Sequence, residues 1–196
     1  MRNDNNFINN QFFHSDKAEL VTVYNPANGA EVATVQAATE VDVLRAIESA
    51  TQAQKAWRKL TSTERAKCLH RLADALTSLS PSIGKALADE SGKSLGDATN
   101  EASYAGGITR YHAEWARRIE GEIIPSDTPS ENLLLQREPI GVVACLIPFN
   151  FPVYTLLRKI APALITGNTV IVRPSNNTPC SAFEIAKAVQ MAEFPE

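Results

Sequence analysis

Residues 140–172 read IGVVACLIPFNFPVYTLLRKIAPALITGNTVIV. The first eight are almost continuously apolar, the pattern of a strand buried on both faces, as in a parallel sheet. A turn with two prolines, PFNFP over 148–152, comes next. Residues 153–165 then carry apolar side chains at helical spacing. Gly167-Asn168 closes that helix, and Thr169 opens a second β-branched strand over 169–172. Beyond it lie the turn RPSNNTP over 173–179 and a last helix from about Ser181. Strand, helix, strand, helix is the building unit of a doubly wound α/β sheet. Such sheets usually have about five or six strands. Two strands therefore predict a sequence cut through the middle of a domain, just past its last helix.

Upstream of this unit the pattern changes. Residues 122–124 and 133–137 read as two strands around the polar loop PSDTPSEN, a hairpin within 121–138. Three helical segments precede it. In the first, Val43, Ile47, Ala50 and Trp57 form an apolar stripe. In the second the stripe runs through Leu69, Leu72, Leu76 and Leu79. Ser80-Pro81 is expected to break it, with Ser80 capping a new helix that carries Ile83 and Leu87 and ends at Ser91-Gly92. The third spans about 95–119 through Ala98, Ala102, Ala105, Ile108, His112 and Trp115. Gly106 and Gly107 weaken it or let another element pack close. His112 is expected to be a packing residue. Residues 21–35, VTVYNPANGAEVATV, read as two short strands flanking an Asn-Pro-Ala-Asn-Gly turn. The first twenty residues, polar and Asn-rich, are expected to form a partly ordered arm.

The totals exclude several classes of function. Of 196 residues, 44% are hydrophobic and 21% charged, ordinary values for a globular chain. A net charge of −3 argues against nucleic-acid binding, which needs a basic face, and against polybasic membrane attachment. No apolar stretch approaches the roughly 20 residues that cross a bilayer, and the first twenty residues lack the apolar core expected of a secretory signal. Cys68, Cys145 and Cys180 are odd in number and widely spaced, which indicates neither a disulfide framework nor a zinc site and fits a reducing cytoplasm. His14, His70 and His112 show no metal-ligand spacing, so no metal is expected.

Ligands of open α/β sheets bind outside the carboxyl ends of the strands. Two turns lie there, 147–152 and 173–179, each stiffened by two prolines. Asn150 offers a neutral amide with two N–H donors, suited to a developing oxyanion, or it caps the next helix. Arg173 offers a permanent fork of donors where a ribose or phosphate would lie, or it is a surface charge at a strand end. The G-x-G-x-x-G dinucleotide fingerprint is absent.

Residues 137–179, REPIGVVACLIPFNFPVYTLLRKIAPALITGNTVIVRPSNNTP, closely resemble the cofactor-domain signature of aldehyde dehydrogenases. RAKCLHRLADAL, ESGKS and YHAEWARRIEGEIIPSDTPSENLLLQREPIG are similar to the helical lead-in and hairpin of the same family, so the resemblance covers nearly everything from about Val21. The segment 111–141 looks most like lactaldehyde and glycolaldehyde dehydrogenases. The resemblance implies the N-terminal portion of the aldehyde dehydrogenase fold. A polar arm (1–20) leads to the hairpin and helices of a cofactor-binding domain (21–120). An oligomerisation-type hairpin (121–138) and the first half of a Rossmann-like parallel sheet (139–196) follow. It also implies NAD- or NADP-dependent oxidation of a small aldehyde to its acid, in a homo-oligomer. In that family a cysteine thiolate attacks the aldehyde, an asparagine amide holds the oxyanion, hydride passes to the nicotinamide, and a glutamate-activated water releases the acid. Asn150 matches the oxyanion donor. Ile147, Pro148 and Phe149 resemble cofactor contacts. Arg173, Pro174, Ser175 and Asn176 fall where the family's KPSE motif meets the adenosine ribose.

Three positions depart from that pattern. Phe149 stands for the usual tryptophan, Arg173 for lysine, and Asn176 for the glutamate that bonds ribose hydroxyls and repels a 2′-phosphate. Weakened selectivity for NAD over NADP is the expectation. No residue matches the nucleophilic cysteine, the base glutamate or the glycine-rich pyrophosphate turn, all of which lie later in the family's sequence. Cys145 sits in the apolar strand, where a thiolate is disfavoured. Cys180, nearer the second turn, is expected to be more exposed. The 196 residues alone are therefore expected not to oxidise aldehydes. The alternative reading is a non-catalytic nucleotide-binding or subunit-binding module from a truncated gene.

Overall fold

The computed structural model describes residues 2–4, 6–15 and 17–195. Its spine is a 30-residue helix, α2 (Ser62–Ser91). Leu69, Leu72, Leu76, Ile83 and Leu87 are its fully buried face. That face packs on α3 (Leu95–Ala113) through Ala98, Ala102 and Ala105, and on α4 (Pro152–Ile165) through Val153, Leu157 and Ile160. The alanines bring α3 close to α2. Gly106 brings it closer still: a Cβ there would strike Thr77 Oγ1 and lie 3.0 Å from the Ala73 carbonyl oxygen. Gly106→Val is expected to cost about 3 kcal/mol through forced displacement of α2, readable as a lowered thermal midpoint by circular dichroism.

Pro81 does not break α2. A proline interrupts a helix partly because the carbonyl four residues earlier loses its N–H partner. Here that carbonyl belongs to Thr77, and the Ser80 hydroxyl donates to it at 3.0 Å. Ser80 thus supports the helix interior where a new N-cap was expected. The true cap is Thr61, in a reciprocal capping box with Glu64, and Gly92 ends the helix at φ +72. The third helix stops at Ala113, and residues Glu114–Arg117 tighten into a 3-10 turn.

The parallel pair is β8 (Val142–Leu146) and β9 (Thr169–Arg173), joined through α4. Cys145 and Ile147 are buried, but Leu146 is 61% exposed and Ala144 is exposed too. The expectation of burial on both faces therefore fails on the side that carries Ala144 and Leu146, which none of the described helices covers at that end. On the covered side α5 (Cys180–Met191) packs beside α2 and α4.

Helix α1 (Glu40–Trp57) buries only the later part of the stripe read from the sequence: Trp57 is buried and Ala50 half-buried, but Val43 and Ile47 are 45% and 43% exposed. Polar anchors dock this end as well. Gln54 Nε2 donates to the Gly167 carbonyl at 2.7 Å and Trp57 Nε1 to that of Leu164 at 3.0 Å, while Thr169 Oγ1 donates to the Ala50 carbonyl at 2.8 Å.

The hairpin expected over 21–35 is present as β4 (Leu20–Tyr24) antiparallel to β5 (Glu31–Gln36). The stretch expected as an arm also contains strands. Arg2–Asp4 forms β1, parallel to β5, and β2 (Asn6–Ile8) and β3 (Gln11–Phe13) make a small hairpin. Its turn residues Asn9 and Asn10 both have positive φ, a conformation asparagine tolerates. Residues 122–125 and 132–135 form the remaining antiparallel pair, β6 (Glu122–Pro125) and β7 (Asn132–Leu135). No helix among the described residues is long and apolar enough to cross a membrane.

Candidate active site

Both proline-stiffened turns lie at the carboxyl ends of β8 and β9, side by side. Leu146 pairs with Arg173 in the parallel register, and the Ile147 N–H donates to the Arg173 carbonyl at 3.0 Å. One backbone bond therefore ties the start of the first turn to the start of the second. Ile147 is buried under this bond, whereas Pro148, Phe149 and Asn150 are exposed. In the second turn Arg173 and Asn176 are exposed, with Pro174 and Ser175 half-buried. Arg173 Nη2 donates to Asn176 Oδ1 at 3.3 Å, and Ser175 Oγ accepts the Asn177 N–H at 3.2 Å.

Asn150 is not a helix cap. Phe151 occupies the N-cap position of α4 and gives no side-chain cap bond. The first turn of α4 is served from elsewhere: Glu101 Oε1 accepts the N–H groups of Val153 and Tyr154, each at 3.1 Å. Among the described residues the Asn150 side-chain amide has no hydrogen-bond partner, so its two donors are available to a ligand.

The start of α5 is closed in the same way. Glu90, buried near the end of α2, accepts the N–H of Cys180 at 2.5 Å and of Ser181 at 3.0 Å. Burial pushes the Glu90 carboxyl up to about 7, against the opposing pull of its bonds from Ser181 and Cys180. The next N–H groups, of Thr155, Ala182 and Phe183, bond to Phe151 and Pro179 carbonyls. A helix start holds a phosphate through free N–H donors, and these two starts have had theirs taken by the protein's own carboxylates. Sequence reading missed Glu90 and Glu101. Their signal was an acidic residue on the buried side of a helix, Glu90 within the ESGKS block.

None of the cysteines supplies a ready nucleophile. All three are buried and none forms a disulfide, and Cys145 has its thiol pushed up by burial, which outweighs the nearby Lys159. Cys180, expected to be more exposed, is 1% exposed because it fills the junction between β4–β5 and α2 beside Val23, Ala33 and Ala86. His112 packs edge-on against Tyr111 at 5.2 Å, and burial followed by nearby Arg158 holds its imidazole below the usual range. No group of histidines, cysteines and carboxylates suited to a metal occurs among the described residues.

Two proline-containing turns above adjacent parallel strands form a candidate ligand site: among the described residues the Asn150 amide has no partner, and the Arg173 guanidinium is held by Asn176. The aldehyde dehydrogenase family model matches residues 12–196, and the chain belongs to that family. It is 37% identical to lactaldehyde dehydrogenase of Escherichia coli strain K12 over 96% of its own length and 40% of that enzyme's. It is 35% identical to the D-glyceraldehyde dehydrogenase (NADP(+)) of Thermoplasma acidophilum, over 97% and 38%. The crystal structure of E. coli lactaldehyde dehydrogenase superposes with a TM-score of 0.95 at 36% identity, over 98% of this chain and 40% of that one. That of an NADP-dependent glyceraldehyde-3-phosphate dehydrogenase from Bacillus halodurans, complexed with NADP, gives 0.94 at 33%, over 100% and 42%. The chain thus spans about two fifths of the length of its relatives. The family and fold read from the sequence are borne out.

Proposed function

We propose that this chain contributes the oxyanion donor and the ribose-facing loop of an enzyme that oxidises a small aldehyde, such as lactaldehyde or glycolaldehyde, with NAD or NADP. The observation that carries the reading is the free side-chain amide of Asn150 at the carboxyl end of β8. Its donors have no partner among the described residues and can meet a negative oxygen as it develops, a contact typically worth about 3 kcal/mol in the transition state. Arg173 and Asn176 present neutral or positive groups only, which suit ribose hydroxyls and tolerate a 2′-phosphate. Ile147, Pro148 and Phe149 would border the cofactor, with Pro174 and Ser175 shaping the second turn. Bound NAD or NADP would supply the hydride acceptor. Its pyrophosphate finds no free helix start in α4 or α5, so that charge must be held elsewhere. Three cysteines without a disulfide fit work in the reducing cytoplasm. The hairpin β6–β7, with Ile123 and Leu134 76% and 66% exposed and paired across the strands, would be covered by another subunit.

Titrating the protein with NADH and with NADPH, followed by nicotinamide fluorescence, tests the cofactor reading. Comparable affinities are expected, and N176E should shift the ratio about tenfold toward NADH by restoring a carboxylate that repels the 2′-phosphate. A large NADH preference in the wild type would sink it. These 196 residues alone are expected to give no cofactor reduction with glycolaldehyde or lactaldehyde, because their cysteines are buried; robust turnover would refute that. Cofactor binding that neither turn affects would favour a non-catalytic module instead.

A further inference from the structure

Two charged side chains outside both turns converge on the segment that carries Asn150. Glu101 lies buried on α3 and reaches the first turn of α4, where Oε1 accepts the N–H groups of Val153 and Tyr154. Its Oε2 is paired with the Lys93 ammonium. The same ammonium sits over the Phe151 ring, 4.1 Å from its centre. Asn150 is therefore followed at once by residues gripped by a single ion pair: Phe151 through its ring, Val153 and Tyr154 through their backbone. Pro152 between them adds a fixed φ.

Each part of this arrangement supports the others. A carboxylate is favoured at a helix start by the exposed N–H groups and the helix dipole. A buried carboxylate needs a counter-charge, and Lys93 supplies it. An ammonium partly withdrawn from water gains from an aromatic face, and Phe151 provides one. Lys93 itself stands between Gly92, the left-handed end of α2, and Ser94, the cap of α3, so it hangs on a tight interhelical corner. Helix α4 has no cap from its own entry residues. We propose that Lys93 and Glu101 form a positioning clamp that fixes where the Asn150 side-chain amide points. The clamp rests on the reading of Asn150 as an oxyanion donor.

The variants E101Q and K93M test it. E101Q removes the charge and one of the acceptor oxygens; K93M keeps the stem and removes the ammonium while leaving Glu101 in place, and serves should E101Q not fold. The first readout is 15N relaxation of the Asn150 side-chain amide, with hydrogen exchange at the Val153 and Tyr154 backbone amides. Both variants are expected to loosen the Asn150 amide and to speed exchange at 153 and 154 about tenfold, while Cys180 and Ser181 exchange as before. An unchanged Asn150, or a uniform rise across the chain as from simple loss of stability, overturns the proposal. The second readout is aldehyde turnover by a longer chain that joins these residues to a nucleophilic cysteine. E101Q should lower kcat about 10²-fold and leave the cofactor KM unchanged, as misplacing a donor does; an unchanged kcat overturns the clamp. If Asn150→Ala leaves that kcat intact, the functional reading falls, and the relaxation and exchange data still decide whether the clamp exists.

Discussion

Replacing Arg65 by methionine should lower stability by about 3 kcal/mol, or roughly 10 °C in the thermal midpoint of a chain this size. Arg65 is buried near the start of α2 and holds two carbonyls, one buried and one partly buried. Its Nε donates to Ile165 at 2.9 Å and its Nη1 to Leu60 at 2.5 Å. Ile165 lies in the last turn of α4, where carbonyls lack helix partners and a cation is favoured by the dipole. Burial disfavours the guanidinium charge, so methionine recovers some desolvation energy and keeps the apolar stem. The two orphaned carbonyls outweigh that gain. Urea unfolding of both proteins measures the difference, and a loss under 1 kcal/mol would falsify the view that Arg65 pins α4.

Glu90 gives the second large effect, through pH. Its folded-state value, about 7, lies above the ordinary 4.5 of an unfolded glutamate. The folded protein thus holds a proton more tightly than the unfolded chain. Its contribution is complete below pH 4.5 and is lost as pH rises through 7, for a total of about 3 kcal/mol. His112 acts with the opposite sign, because a lowered imidazole favours folding as pH rises through its ordinary range. The clean measurement is therefore a difference: the stability of the wild type minus that of E90Q, followed from pH 4.5 to 8. It should fall by about 3 kcal/mol across that window. A flat difference would show that Glu90 is ionised throughout.

The parts of the fold that repeat a local rule were legible in advance. The alternation around 21–35, the glycine after Ser91 and the apolar runs flanking residues 148–152 each place an element through short-range chemistry. Other expectations failed where a distant partner decides. Pro81 reads as a break, yet the Ser80 hydroxyl replaces the missing N–H. Val43 and Ile47 read as core, yet α1 is held by Gln54 and Trp57 reaching carbonyls more than a hundred residues away. Asn9 and Asn10 carry a turn inside a stretch whose polarity suggested an arm. At the site, the two turns could be found because prolines and strand ends mark them. The carboxylates that complete them could not, since Glu90 and Glu101 come from other helices and nothing in the spacing links 90 to 180 or 101 to 153.

Helix α2 joins these distant partners into one gauge. Near one end Arg65 grips the exit of α4, and near the other Glu90 grips the entry of α5. Both grips depend on side chains leaving the same rod at fixed angles. Removing a single residue between them would turn one end by about 100° against the other and draw it in by about 1.5 Å. One of the two grips would then face the wrong way. The interior of α2 should accept many substitutions on its wet side but no change of length. Insertions and deletions between Arg65 and Glu90 should be far more damaging than the mild composition of that segment suggests.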